Sequence, residues 1–129
     1  MKMQGAVLYE TGKPRPYTTS QPLHIETLDL EGPQQNEVLV EIRAAGLCHS
    51  DLSTIEGIRT RPLPTVLGHE AAGIVREVGP GVTDLKEGDH VVLVFVMSCG
   101  HCQECTTGRP HLCGASFESK MKGELVGGG

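Results

Sequence analysis

Ser98-Cys99-Gly100-His101-Cys102-Gln103-Glu104-Cys105, continuing through Thr106-Thr107-Gly108-Arg109-Pro110-His111-Leu112 to Cys113, sets four cysteines in the pattern C-x2-C-x2-C-x7-C. Four soft thiolates in one short loop can close a tetrahedral shell around a single ion, and zinc is the usual occupant. The glycines and the proline let the backbone curl back on the ion, and no apolar periodicity competes with that use. Two other uses of the cluster fit less well. Disulfides would suit a secreted protein, yet Met1-Lys2-Met3-Gln4-Gly5 lacks the apolar core of a signal peptide and Cys48 would be left over. Iron–sulfur proteins share the two successive two-residue gaps. Their run continues with three residues and then Cys-Pro, whereas seven residues intervene here and Gly114 follows. The spacing therefore predicts a structural zinc lobe over residues 98–114, closed by Cys99, Cys102, Cys105 and Cys113.

Around that loop, 129 residues allow one domain with a core of its own. Tyr9, Tyr17, Phe95 and Phe117 are the only aromatics, so the core must be built from Val, Leu, Ile and Ala. Seventeen glycines and eight prolines imply many turns and a mainly β fold. A formal net charge of −5 argues against nucleic acid or an anionic membrane as partner. The longest apolar run, Val91 to Met97, is far too short to span a bilayer. These features together fit a reducing, cytoplasmic setting.

Strands are expected at Gln4–Tyr9, at Leu23–Leu30, where apolar and polar residues alternate, and at Glu37–Ala44, ending near Gly46. Cys48 to Glu56 has only Leu52 and Ile55 as apolar anchors and reads as one short helix after a loop. Gly57, Pro62 and Pro64 then make an extended, turn-rich connection. Strand character resumes from His69 to Val78. Turns follow at Gly79-Pro80-Gly81 and at Lys86-Glu87-Gly88-Asp89. His90 to Met97 is expected as a strand buried on both faces or closing a barrel. After Cys113 the pattern is lost; Lys120 to Leu125 is short and mixed.

Two further segments carry chemistry, Cys48-His49-Ser50-Asp51 and Gly68-His69-Glu70-Ala71-Ala72-Gly73-Ile74-Val75. Alone, each is a weak signal, since a buried cysteine is usually an inert small hydrophobe. In sequence order with the four-cysteine loop, they resemble the zinc-dependent medium-chain alcohol dehydrogenases over nearly the whole chain. The resemblance implies a GroES-like, partly open β-barrel with a short helix after Cys48. It also implies a catalytic zinc held by Cys48 and His69, with the third cysteine ligand coming from later in the chain. Such an open site suits Lewis-acid chemistry: alcohol oxidised to aldehyde or ketone through a zinc alkoxide, with hydride passed to NAD or NADP. Glu70 matches a carboxylate near the zinc that can exchange as a ligand. Asp51 matches a carboxylate that fixes the ligand imidazole, and Ser50 a hydroxyl that bonds the substrate oxygen. His49 falls where a basic residue approaches the cofactor phosphates, and Phe95 where an aromatic walls the substrate pocket, although core packing would equally use it.

Some relatives pass the proton on through a histidine at the position of Ser53, so a shorter relay or direct transfer to solvent is expected here. Arg59, with Arg61 close by, lies in a loop that in the family approaches the substrate cleft; a solvated surface charge is its simplest use. No G-x-G-x-x-G opens a helix, so the nucleotide-binding domain is absent. The expectation is an N-terminal catalytic-domain piece over residues 1–115, with 116–129 a truncated connection. By itself the piece would be inactive, and the full-length enzyme would be a homo-oligomer acting on a small alcohol or aldehyde. The alternative is a stand-alone zinc-stabilised GroES-like binding or scaffold module without catalysis.

Overall fold

Alternating strands sort their faces by pairing, and the computed structural model, which describes residues 1–122, shows two three-stranded antiparallel sheets. The first has the order β2-β1-β4, with β1 at Lys2–Leu8, β2 at Leu23–Asp29 and β4 at Thr65–Val66. Its long pair runs from Lys2↔Asp29 to Leu8↔Leu23. At the open end the pairing is polar, with Lys2 Nζ 2.6 Å from Asp29 and Gln4 Nε2 donating to Thr27 at 2.6 Å. At the other end Val7 and Leu8 are buried and carry the short β4. The second sheet, ordered β3-β5-β6, joins Val38–Gly46, Glu70–Val78 and His90–Val92. The sheets share no strand, and the barrel is partly open.

Two register shifts bend the β3–β5 pair, one between Leu39 and Val40 and one between Ile42 and Ala44. Bulges of this kind sharpen the twist and let a strand curl. Arg76 and Arg43 fall at these irregularities, and both turn onto Glu41: Arg43 Nη2 lies 2.8 Å from one oxygen, and Arg76 pairs with the other. Between the bulges stands Gly73, opposite Ile42. A Cβ there would run into the Glu41 carbonyl oxygen and a Val40 methyl group. That backbone oxygen is fixed by the sheet, so only glycine fits.

The core is thin. Leu8 and Val75 are fully enclosed, with Val7, Ile55 and Thr54 beside them. The chain exposes 8890 Å², against about 6,600 Å² for a compact monomer of its mass. The helix α2, His49–Ile55, closes one end of this core, with Cys48 as its N-cap residue. It is strapped from outside by the segment before β2. Gly12 N–H donates to Ile55 O at 2.8 Å, Arg15 pairs with Glu56, and the same guanidinium lies 5.6 Å above the Tyr17 ring.

Several elements depart from the sequence reading. The apolar run from His90 does not form a buried strand to Met97: β6 stops at Val92. Val92 and Val94 are 77% and 71% exposed. Only β5 pairs with β6 among the described residues, which leaves it at the edge of its sheet. A short helix α1, Tyr17–Ser20, and β4 were not anticipated, since each is too brief to show a period. The expected irregular tail holds a helix, α4, over Gly114–Lys122, whose only buried residue among those with described side chains is Ser116. A helix without an apolar face leaves no periodic mark. The rest of the expected mixed segment, 123–125, lies outside the described residues.

Replacing Gly73 by Ala is expected to destabilise the zinc-loaded chain by about 3 kcal/mol, the upper range of over-packing costs. Urea denaturation would show it as a lowered midpoint at unchanged slope.

Candidate metal centres

β3 ends at Gly46 and β5 begins at Glu70, and those two residues face each other in the register. Cys48 therefore leaves β3 beside the point where His69 enters β5. The turn into β5 requires Gly68, whose φ is +121°, a value side-chain-bearing residues rarely adopt. One donor atom from each of Cys48, His69 and Glu70 lies within 4.8 Å of the others. Asp51, in the first turn of α2, ties two of these donors together. Cys48 N–H donates to its Oδ2 at 3.4 Å, and His69 Nδ1 lies 3.2 Å from its Oδ1. A carboxylate at Nδ1 calls for the N–H on that nitrogen and leaves the Nε2 lone pair for a metal. Ser50 Oγ sits beside both ligands, 3.3 Å from Cys48 Sγ and 3.2 Å from His69 Nε2. Phe95 meets the His69 ring edge to face at 5.9 Å. One thiolate, one imidazole and one exposed carboxylate are a mixed, three-donor set, and such a set suits a zinc ion that keeps a position for a small molecule.

The second donor set is closed. The sulfurs of Cys99, Cys102, Cys105 and Cys113 all lie within 4.8 Å of one another, with 4.0 Å from Cys99 to Cys105 and 3.5 Å from Cys102 to Cys105. A tetrahedral zinc with Zn–S bonds of about 2.3 Å needs sulfurs about 3.8 Å apart, so the set fits. Two small elements shape it, the helix α3 at Gln103–Thr106 and a 3₁₀ turn at Pro110–Leu112. Amide N–H groups point at the sulfurs. Those of His101 and then Cys102 pull the Cys99 thiol down to about 6. Cys102 also receives the Cys105 amide, yet burial and the neighbouring thiol and carboxyl groups push it up to about 12. Thiols this close cannot all ionise unless a cation joins them.

The match to known proteins follows the same lines. The model of the alcohol dehydrogenase GroES-like domain matches residues 34–129. An NDMA-dependent alcohol dehydrogenase of Amycolatopsis methanolica is 50% identical over 113 residues, covering 88% of this chain and 28% of its own length. An S-(hydroxymethyl)glutathione dehydrogenase of Synechocystis is 44% identical over 129 residues, covering 99% of this chain and 33% of its own length. In structure, benzyl alcohol dehydrogenase from Acinetobacter calcoaceticus superposes on all of this chain with a TM-score of 0.85 at 37% identity. The chain belongs to the zinc-dependent medium-chain alcohol dehydrogenase family. It spans about a third or less of the length of these dehydrogenase relatives.

Within this dehydrogenase framework the structure brings together Cys48, Ser50, Asp51, His69, Glu70 and Phe95. His49 points away from them, its Nδ1 3.3 Å from Ser53 Oγ, which donates to His49 O at 3.1 Å. Arg59 lies just beyond α2, its N–H donating to Ser53 O at 3.0 Å. The sequence reading missed Thr54, whose buried hydroxyl donates to Ser50 O at 3.0 Å and steadies the turn that presents Ser50. It also missed Gly46. A polar residue four positions after Ser50 was the available signal for Thr54; Gly46 becomes visible only in the strand register.

Zinc affinity at the four-cysteine lobe is expected to rise with pH. Cys99 is an ionised thiolate above about pH 6, whereas Cys102 keeps its proton at neutral pH until metal displaces it. Competition with a chelator between pH 6 and 8 should show about a tenfold gain per unit for each proton displaced. A flat profile would contradict it.

Proposed function

We propose that this chain is the N-terminal catalytic-domain portion, residues 1–115 with 116–129 leading onward, of an alcohol dehydrogenase. The enzyme oxidises a primary or secondary alcohol to an aldehyde or ketone by hydride transfer to NAD or NADP. The observation that carries this reading is the mixed, open donor set of Cys48, His69 and Glu70 with the Ser50 hydroxyl between two of its members. Cys48 and His69 hold the catalytic zinc, with Glu70 as a further donor and another ligand from elsewhere in the enzyme. When bound, zinc supplies the Lewis acidity that makes an alcohol hydroxyl acidic near neutral pH.

The rest falls to this chain's own side chains. Ser50 Oγ would act as a relay, accepting the alcohol's proton as its own hydroxyl proton departs toward solvent. Asp51 keeps the His69 proton on Nδ1 and holds the ring in place. Phe95, beside the imidazole, gives the substrate an apolar wall. His49, exposed on α2, would supply a basic group to the cofactor phosphates. The uncovered apolar residues Val92, Val94 and Phe95 support packing against further polypeptide, which agrees with a full-length homo-oligomer three times as long. Five unpaired cysteines support a reducing, cytoplasmic location. No helix among the described residues is long and apolar enough to cross a membrane.

In the full-length enzyme, Ser50→Ala is expected to lower kcat by about 10²–10⁴-fold, and Cys48→Ala to abolish turnover with loss of one zinc. Steady-state kinetics with NAD and NADP, combined with metal analysis, tests both; turnover that survives Cys48→Ala would overturn the reading. The 129-residue chain alone should retain one zinc firmly, at the four-cysteine lobe, and oxidise no alcohol. Two zincs surviving dialysis against a chelator would count against that.

A further inference from the structure

Gly46 is the last residue of β3 and faces Glu70, the first of β5. Directly opposed residues of an antiparallel pair project to the same face of the sheet. A Cβ built on Gly46 would lie 2.8 Å from Glu70 Oε2, 3.3 Å from Glu70 Cβ and 3.8 Å from Glu70 Cδ, and these are its three nearest atoms. The backbone does not ask for glycine at this point, because Gly46 is not among the residues with positive φ. A strand position also disfavours glycine on propensity. What the missing side chain supplies is space, and the Glu70 side chain, with its Oε2 nearest, takes it up.

The two acidic residues of the site are held in opposite ways. Asp51 is pinned by the Cys48 amide and the His69 ring. Glu70 is exposed, and among the described residues no hydrogen bond or ion pair fixes its carboxylate. We propose that Gly46 is a positioning residue for Glu70: its bare Cα leaves the berth from which the carboxylate joins Cys48 and His69 as a donor. Any side chain at position 46 displaces the carboxylate from that set. The closest approach is to Oε2, the far end of a flexible side chain, and the Glu70 Cβ at 3.3 Å has to give by only a few tenths of an ångström, so an alanine shifts Glu70 without breaking the sheet. This is the opposite of Gly73, where a Cβ meets fixed backbone.

The inference rests on the reading of Cys48 and His69 as metal ligands, and the experiment separates the two. The 129-residue chain is loaded with one equivalent of zinc to fill the four-cysteine lobe, then titrated with cobalt(II). The thiolate-to-cobalt and d–d bands report binding at Cys48. Gly46→Ala is expected to weaken cobalt binding about tenfold and to shift the d–d bands, with the lobe zinc retained. Glu70→Ala should weaken it to a similar extent. The double variant should be no weaker than Glu70→Ala alone, because the two residues act through one carboxylate. Gly46→Ala that binds cobalt with the wild-type affinity and spectrum overturns the proposal, as does a double variant in which the two losses add. If Cys48→Ala leaves the cobalt bands unchanged, the metal reading itself fails and takes the proposal with it.

Discussion

The antiparallel pairing of β3 with β5 runs from Val38↔Val78 to Gly46↔Glu70, and the open donor set begins where that ladder ends. Cys48 and His69 are twenty-one positions apart in the chain. Neither has a local reason to meet the other; the ladder brings them together. Its two irregularities, with Arg43 and Arg76 gathered onto Glu41, curl the sheet between its ends. Gly73 lets the strands approach at that bend, and Val75, two residues on, plugs the core. The motif Gly68-His69-Glu70-x-x-Gly73-x-Val75 is thus one mechanical unit. It contains a turn, two donors, a close approach and an anchor.

The two donor sets solve different problems with the same element in view. Four thiolates with amide N–H groups aimed at them, as Cys99 N–H is aimed at Cys113 Sγ at 3.4 Å, leave no place for a fifth ligand. That set substitutes for hydrophobic core in a lobe that has little: apart from Cys113, the residues from 98 to 114 are half-buried or exposed. Metal binding in such a lobe is folding free energy. The other set uses three kinds of donor, holds one of them loosely and places a hydroxyl beside them. Glu70 is held loosely, whereas Asp51 ties Cys48 and His69 in place.

How far the sequence could be read follows from these same contacts. The alternation in Leu23–Asp29 reports one buried and one exposed face, so β2 was legible, and so was the helix between Cys48 and Glu56. The spacing of four cysteines announced the lobe because its ligands are local. Resemblance was needed for Cys48 and His69, whose meeting depends on a long-range register. The run Val91–Met97 misled because apolarity marks what will be covered, not what this stretch of chain covers. Helix α1 is a single turn and α4 has no apolar face, so neither leaves a periodic mark in the sequence. Gly46 looked like an ordinary strand terminus; only the residue across the ladder gives it meaning.

What this part of the molecule lacks is dryness. Proton removal and hydride transfer proceed best where water is excluded and fixed dipoles act at low dielectric. Here Glu70 is exposed, Phe95 is 56% exposed, and the apolar ribbon beside it stands open. Asp51 fixes the orientation of Cys48 and His69, which is the costly entropic part of building a metal site, but the set keeps an exposed edge at Glu70 and Phe95. Exposure at the rim and order at Cys48, Asp51 and His69 stand side by side: two donors are tied in place, while the third donor and the apolar residues next to it stay open to solvent.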